Sequence, residues 1–433
     1  LPNIRYVSVP PKLCVPATPD FQPLQLYLFD QAPGIHAEEF WSTYNNYGAG
    51  IKICDIEYSF NPDHLDLPQV TILGPPIWED SLLESHGTAV LGEIASLNNG
   101  FGTTGISYES ELYFSEVFYE DDHQVSGALM TALQALEEGD IVLIEQHIWV
   151  SFENGPSTFV PVEWYEPYYD AIQLVSGNGI IVVEPAGNGY KNLDHPDLST
   201  GNNGHYPFLE GNWSEAIMIG AGAIGIGDTP RSRLDFSNYG KRVDLQGIGE
   251  GMVTTGGGSL YSAEGENQYY TNTFGGTSSA SPVVTGAIAL LQSLHEQHTG
   301  QRLSAGALRD LLVNTGKPQV AGQYPVTEKI GPLPNVFAAA NLMMEHLGIE
   351  VFQKDGFSIN PNPNQGSFEI YIPNAFVAEL RLRDLTGKEI PLNYEKTPMG
   401  FDVSSLYPAP GMYYLSVVYA DGMIVTKSIR ITN

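Results

Sequence analysis

Residues 274–291 read FGGTSSASPVVTGAIALL, and this stretch leaves the chain few ways to fold around it. Gly275 and Gly276 allow a tight turn and a close approach of backbone to a ligand. Pro282 fits the first turn of a helix, where amides have no intrahelical partner. Val283, Val284, Ala287, Ile288 and Leu291 then recur at helical spacing, which predicts a buried, rigid helix behind Ser278. A hydroxyl fixed there sits among unpaired amides at the positive end of a helix dipole, surroundings that suit a developing oxyanion. The same residues would also serve as an N-cap serine before a core helix, so chemistry at Ser278 needs partners elsewhere in the chain.

From Phe40 onward, strand and helix patterns alternate. Val125, Leu129, Ala132 and Leu136 share one helical stripe, ended by Gly139 and followed by the apolar run IVLI at 141–144. A second unit pairs a helix near Tyr168 to Val175 with the strand IIVV at 180–183. This alternation predicts an α/β fold, a parallel sheet covered by helices on both faces. Both strands end in polar or small residues, and open α/β sheets bind ligands outside the carboxyl ends of their strands. Between residues 192 and 278 the chain is rich in Gly and Asn, as expected of loops that shape a cleft.

The pattern changes at Gly348 to Gly356. Short alternating segments follow, SFEIYI at 367–372, ELRLRDL at 379–385 and MYYLSVVY at 412–419, and Asp421 with Gly422 reads as a hairpin turn. They predict a small antiparallel β-sandwich. The expected organisation is a proline-rich extension over residues 1–25, an α/β domain over 26–350 and the sandwich over 351–433.

The 433 residues carry a net charge of −31, and 12 basic and 42 acidic residues precede residue 351. So acidic a surface argues against nucleic acid and anionic membrane surfaces as partners. No apolar run approaches the length of a membrane span. The amino-terminal stretch lacks a basic region followed by an apolar core and reads as a mature or trimmed start. Cys14 and Cys54 are too few for a disulfide framework or a zinc site; one bridge between them and two free thiols both stay open.

A serine nucleophile needs a base, the base needs an orienting acid, and the oxyanion needs donors. His86 lies in ESHGTAVLGEIAS, where Gly87 permits close packing and Val90, Leu91 and Ile94 suggest a helix carrying the imidazole. Asp55 closes the apolar strand IKIC at 51–54, at a carboxyl end where such sheets gather their sites. Asn188 ends VVEPAGN, and its side-chain amide could stand beside the Ser278 amide as a second donor. Alone, each has an ordinary reading: a helix-start histidine, a turn aspartate, a loop asparagine.

Together, and in this order, they resemble the subtilisin-like serine protease family over roughly residues 35–345. ICDIEYSFNPDHLDL is similar to that family's aspartate motif, HGTAVLGEI to its histidine motif, PAGN to its oxyanion asparagine motif and GTSSASP to its serine motif. NNGFGTTGIS at 98–107 and FSNYGKRVDLQGIGE at 236–250 resemble family core segments. The resemblance implies a serine endopeptidase acting on proteins or peptides. In the mechanism it implies, Ser278 would attack the carbonyl, His86 take and return the proton, Asp55 hold the imidazole, and Asn188 with the Ser278 amide bind the oxyanion. It implies no cofactor for the chemistry and makes calcium a candidate structural ion, with NNGFGTTG resembling a calcium loop and Asp63, Asp66, Asp121 and Asp122 offering oxygen ligands.

The chain departs from the family pattern in three places. Ile56 and Glu57 follow Asp55 where the family often has a small polar residue and glycine, and Glu184 and Pro185 precede the PAGN-like turn where small residues are usual. DIVLIEQHIWV at 140–150 takes the place of the substrate-lining strand without its usual Ser and Gly ending. Glu145, Gln146 and His147 are therefore candidate substrate contacts, with Gly187 and Gly276 beside them, and Glu57, Glu145 and Glu184 are expected to form an acidic cleft favouring basic side chains.

The tail from Ser358 to Asn433 resembles the C-terminal sorting domain of type IX secretion cargo in Gram-negative bacteria. INPNPNQGSFEI, LRLRDLTGKEI, GMYYLSVVYADG and the closing VTKSIRIT carry the resemblance. It implies a secreted or cell-surface protein whose tail meets outer-membrane secretion machinery.

Overall fold

A computed structural model describes residues 18–29, 33–74, 81–119, 122–151, 157–347, 358–360, 365–371, 377–397, 400–405, 409–419 and 424–432. The chain divides after residue 346 into two compact units.

The first unit is built on seven parallel strands: β1 (Lys52–Glu57), β2 (Thr71–Leu73), β3 (Glu111–Glu116), β4 (Ile141–Ile144), β5 (Ile181–Pro185), β6 (Ile217–Gly222) and β7 (Leu245–Ile248). Their order across the sheet is β7-β6-β5-β4-β1-β3-β2. The chain leaves β1 toward one edge and returns to β4 on its other side, so the order reverses between β1 and β4. In an open α/β sheet, a crevice opens at the carboxyl ends of such a pair.

Strand residues alternate between faces. Cys54 and Ile56 of β1, Val142 and Ile144 of β4 and Val182 of β5 pack with Val125, Leu129 and Ala132 of helix α3 (Val125–Ala135) and Ile172 and Val175 of α4 (Glu166–Gly177). Four more helices matter here: α1 (Ala37–Tyr44) and α2 (Ser81–Ala95) precede α3 (Val125–Ala135) and α4 (Glu166–Gly177), and α5 (Thr277–Thr299) and α6 (Ala305–Thr315) follow. The opposite sheet face lies under α5, which meets β4 to β7 and is flanked by α2. Val283, Val284, Ala287, Ile288 and Leu291 of α5 are fully buried, as their spacing requires. Gly300, in a left-handed conformation at φ 69°, ends α5 with its N–H donated to the Glu296 carbonyl. Cys54 is a free thiol buried inside β1; Cys14 lies outside the described residues.

The second unit contains two four-stranded antiparallel sheets. Phe368, Ile370, Phe401 and Val403 from one sheet share a core with Leu380, Leu382, Leu415, Val417, Ile429 and Ile431 from the other. That shared core makes the pair a sandwich. The expected turn at Asp421 and Gly422 lies outside the described residues.

Candidate active site

The crevice between β1 and β4 is lined with carboxyl groups. Asp55 and Glu57 are two residues apart on β1 and so point to the same face, the one under α5. Glu57 sits at the carboxyl end of the strand, and Asp55 lies one pleat deeper, paired in register with Phe114 and Leu143. Glu145 follows β4, and its N–H donates to the Ile56 carbonyl at 3.2 Å, which keeps it in the ladder beside the end of β1. The single strand expected over 140–150 breaks here. The sheet ladder stops at Ile144, and His147–Val150 turns away to pair antiparallel with Thr158–Pro161.

Helix α2 brings His86 over the end of β1. Its Nδ1 lies 3.1 Å from Glu57 Oε2, an ion-pair contact short of a well-aligned hydrogen bond, as is common before substrate binds. Glu57 is fully buried, and its other oxygen accepts the Tyr58 N–H at 2.7 Å. Asp55, expected to orient the imidazole, does not do so: Glu57 is the one carboxylate within 4.0 Å of His86 among the described residues. The reason is depth. Asp55 is shorter and one pleat further inside, and both its oxygens are buried without a partner. Gly87 makes the approach of α2 feasible, since a Cβ there would lie 2.1 Å from the Ser59 carbonyl oxygen and 3.0 Å from Glu57 Cγ. Burial opposes a charge on His86, yet the Glu57 carboxylate outweighs it and raises the imidazole pKa above 6.5. The Phe274 ring meets the imidazole edge-on, centroids 5.3 Å apart.

Ser278 is the second residue of α5, 8% exposed. Gly276 caps the helix at φ 95°, a conformation that strains any residue with a Cβ. Pro282 stands at the sixth helical position and not in the first turn, so it offers no N–H to the Ser278 carbonyl. Asn188 approaches from the loop after β5. Its Oδ1 accepts the Thr277 N–H and the Thr277 hydroxyl, both at 3.0 Å, which leaves Nδ2 to donate near Ser278. A Cβ on Gly276 would sit 3.2 Å from that Nδ2. The loop is clamped by Asn238, whose Nδ2 donates to the Ala186 and Phe159 carbonyls and whose Oδ1 accepts the Lys191 N–H. Thr277 and Asn238 escaped residue-by-residue reading because each works through another group.

The remaining candidates fall into two groups. His147 stacks against Phe159 at 4.1 Å, near Gly187, and burial followed by the charge of His86 lowers its pKa to about 4. Gln146 is buried without a side-chain partner, and Glu145 lies beside Ser278. Glu184 is elsewhere: it is fully buried, accepts the Glu163 N–H at 3.1 Å, and shares a network with Glu163 and Arg242. Of the three glutamates expected to form an acidic cleft, Glu57 and Glu145 stand buried at the crevice beside His86, and Glu184 lies apart from it. Of the expected calcium ligands, Asp66 faces the loop at 98–105. Asp66 is turned inward to Asn99 Nδ2 at 2.9 Å and the Thr103 N–H at 2.7 Å, and burial, only partly offset by these donors, lifts its pKa to about 7. Asp63 is exposed; Asp121 and the Asp122 side chain lie outside the described residues.

The model of the subtilase family matches residues 48–335. The chain belongs to the subtilase family. It is 30% identical over 271 residues to an intracellular serine protease of Paenibacillus polymyxa, covering 60% of this chain and 71% of the relative. It is 29% identical over 250 residues to subtilisin BL of Lederbergia lenta, covering 57% and 77%. In fold it is similar to a protease of Pseudoalteromonas arctica, with a TM-score of 0.53 at 18% identity over 75% of this chain and 99% of that one. This subtilase is a serine endopeptidase. Among its described residues no helix is long and apolar enough to cross a membrane.

Proposed function

We propose that this subtilase is an exported endopeptidase whose nucleophile is Ser278, whose base is His86 and whose orienting acid is Glu57. The 3.1 Å approach of Glu57 Oε2 to His86 Nδ1 carries this reading. A carboxylate at Nδ1 fixes the tautomer that leaves Nε2 free to accept the serine proton, and it stabilises the imidazolium formed during attack. The peptide oxygen then gains charge between the Ser278 N–H and Asn188 Nδ2, both pre-aimed before the reaction. His86 returns the proton to the leaving amine, and water repeats the sequence on the acyl-enzyme.

Purified protein labelled by a serine-reactive phosphonate, with labelling and peptide hydrolysis both lost in Ser278→Ala, tests the assignment. Retained hydrolysis in that variant defeats it. Removing a subtilase nucleophile lowers turnover by on the order of 10⁶-fold.

The second unit is read as an export and sorting domain. Its self-contained core supports treating it as separable from the enzyme. Deleting residues 351–433 is expected to block secretion and spare hydrolysis; continued secretion defeats this part. A structural calcium is read at the loop at 98–105, which Asp66 meets through Asn99 and Thr103, and chelator is expected to lower the melting temperature; an unchanged melt defeats this part.

A further inference from the structure

Glu57 from β1, His86 from α2 and Glu145 from the turn after β4 each offer one donor atom within 4.8 Å of the other two. Three atoms so placed share a centre at most about 2.8 Å from each (4.8 Å over √3), a small side-chain shift from the zinc–ligand bond of about 2.0–2.2 Å. Two of them are nearer still. Glu57 Oε2 and His86 Nδ1 are 3.1 Å apart, against about 3.3 Å for neighbouring ligands on a tetrahedral zinc. Among the described residues no other three histidine, cysteine or acidic side chains converge so closely.

The cluster is short of positive charge. Glu57 is fully buried and Glu145 is 5% exposed, yet among the described residues neither Glu145 oxygen nor Glu57 Oε2 has a well-aligned hydrogen bond. Asp55 lies beneath them with both oxygens unpartnered as well. Burial and then the charges of Asp55 and Glu57 raise the Glu145 pKa well above 4.5, so by itself Glu145 keeps a proton. A divalent ion displaces that proton and balances two carboxylates beside a neutral imidazole.

The donor set also selects the ion. One imidazole nitrogen and two carboxylates suit zinc, whereas calcium takes about 6–8 oxygens and magnesium holds to octahedral oxygen geometry. The other Glu57 oxygen accepts the Tyr58 N–H at 2.7 Å, a contact that fixes the ligating carboxylate. The His86 side chain is 33% exposed, which opens the site to an ion from solvent.

We propose that Glu57, His86 and Glu145 form a zinc site that switches this subtilase off. A neutral imidazole that gives its Nδ1 lone pair to zinc carries its proton on Nε2, and that nitrogen then has no lone pair for the serine proton. The same ion takes the Glu57 oxygen that orients the ring. Removing the zinc restores the pair. Binding stands apart from the catalytic reading, whereas inhibition rests on the reading of His86 as the base for Ser278.

The test is calorimetric titration of zinc chloride, in millimolar calcium, into the full chain carrying Ser278→Ala, alone and with Glu145→Gln, His86→Gln or His195→Gln. The pH is about 8, where an ordinary imidazole is neutral. His195, 3.7 Å from Asp197, is an exposed histidine–acid pair and controls for surface binding. One ion is expected to bind at micromolar zinc, at least about tenfold more weakly after Glu145→Gln or His86→Gln and equally well after His195→Gln. In the chain with Ser278 intact, micromolar zinc is expected to stop peptide hydrolysis and to protect Ser278 from phosphonate labelling, both reversed by a zinc-selective chelator. Glu145→Gln is expected to need at least about tenfold more zinc, measured against its own zinc-free rate.

No binding at submillimolar zinc, binding that neither Glu145→Gln nor His86→Gln weakens, binding lost with His195→Gln, or zinc inhibition unchanged in Glu145→Gln overturns the proposal. A misfolded Glu145→Gln chain shows itself by failing to label without zinc, and His86→Gln then decides the binding. If Ser278→Ala still hydrolyses substrate, the nucleophile reading fails and the titration still decides the zinc site; if Ser278→Ala is dead and zinc does not bind, only this proposal fails.

Discussion

Glu57 Oε2 stands 3.1 Å from His86 Nδ1, while Asp55, on the same face of the same strand, is buried beneath it with both oxygens unpartnered. Two carboxyls two residues apart are equivalent in a period-two pattern. What separates them is position along the strand and one methylene of reach. Glu57 ends β1 where α2 crosses it, and Asp55 lies inside the sheet.

Glu57→Gln is therefore expected to lower kcat by on the order of 10⁴-fold with little change in KM, the loss typical of removing an orienting acid from such a triad. Asp55→Asn is expected to leave kcat within about threefold, because it replaces a buried carboxyl that touches neither base nor nucleophile. Steady-state kinetics of the two variants separate the roles, and the reverse ranking would restore Asp55 as the orienting acid.

Burial raises the pKa of Glu93 well above 4.5, and neither of its oxygens has a partner. A carboxyl whose folded pKa is raised binds its proton more tightly in the folded state. Its contribution to stability is complete below the unfolded value near 4.5 and is lost as pH rises through the folded value. Asp55 follows the same sign, raised by burial and then by the charge of Glu57. Glu93→Gln removes that pH-dependent loss, so its melting temperature is expected to exceed the parent's at pH above neutral and to match it at acidic pH. A variant less stable than the parent across the whole range would show a buried partner for Glu93.

Gly87→Ala tests how tightly α2 is seated. The new Cβ would meet the Ser59 carbonyl oxygen at 2.1 Å, and that oxygen is backbone that cannot rotate aside. Overpacking of this kind costs about 1–3 kcal/mol, and here it would also lift His86 away from Glu57. The expected outcome is a lower melting temperature with a fall in kcat larger than the change in KM. An active, fully stable Gly87→Ala protein would contradict the packing described.

The parallel sheet, the buried helix behind Ser278 and the separate sandwich were legible because periodicity reports burial directly. The cluster around Val142, Ile144, Leu129 and Val175 is the core that the apolar spacing foretold. The pairing of His86 with Glu57 was harder to read, since Asp55 closes an apolar run and looks like a strand-end carboxylate. A signal did exist: Ile56 and Glu57 are anomalous after Asp55, whereas counting from Glu57 places the small residue Ser59 two positions on. The burial of Glu184 in the Arg242 network was not legible at all. Arg242 lies 58 positions away in sequence and reaches Glu163 at 2.8 Å and Asp244 at 3.0 Å only in the folded chain.

Asn188, the proposed oxyanion donor, is held in place by Thr277, and the two contacts between them differ in what a substitution can remove. The Thr277 N–H donates to Asn188 Oδ1 from the backbone and survives any side-chain change, whereas the hydroxyl contact at the same 3.0 Å does not. Asn188→Ala deletes the donor itself and is expected to lower kcat by about 10²- to 10³-fold with KM nearly constant, since the bond forms only as charge develops on the peptide oxygen. Thr277→Val keeps the donor and one of its two anchors, so the expected fall in kcat is smaller, about tenfold, in line with one neutral hydrogen bond. Adding Thr277→Val to Asn188→Ala should then cost little more, because the threonine hydroxyl has nothing left to orient. Additive losses in the double variant would mean that Thr277 acts on the nucleophile by a route of its own.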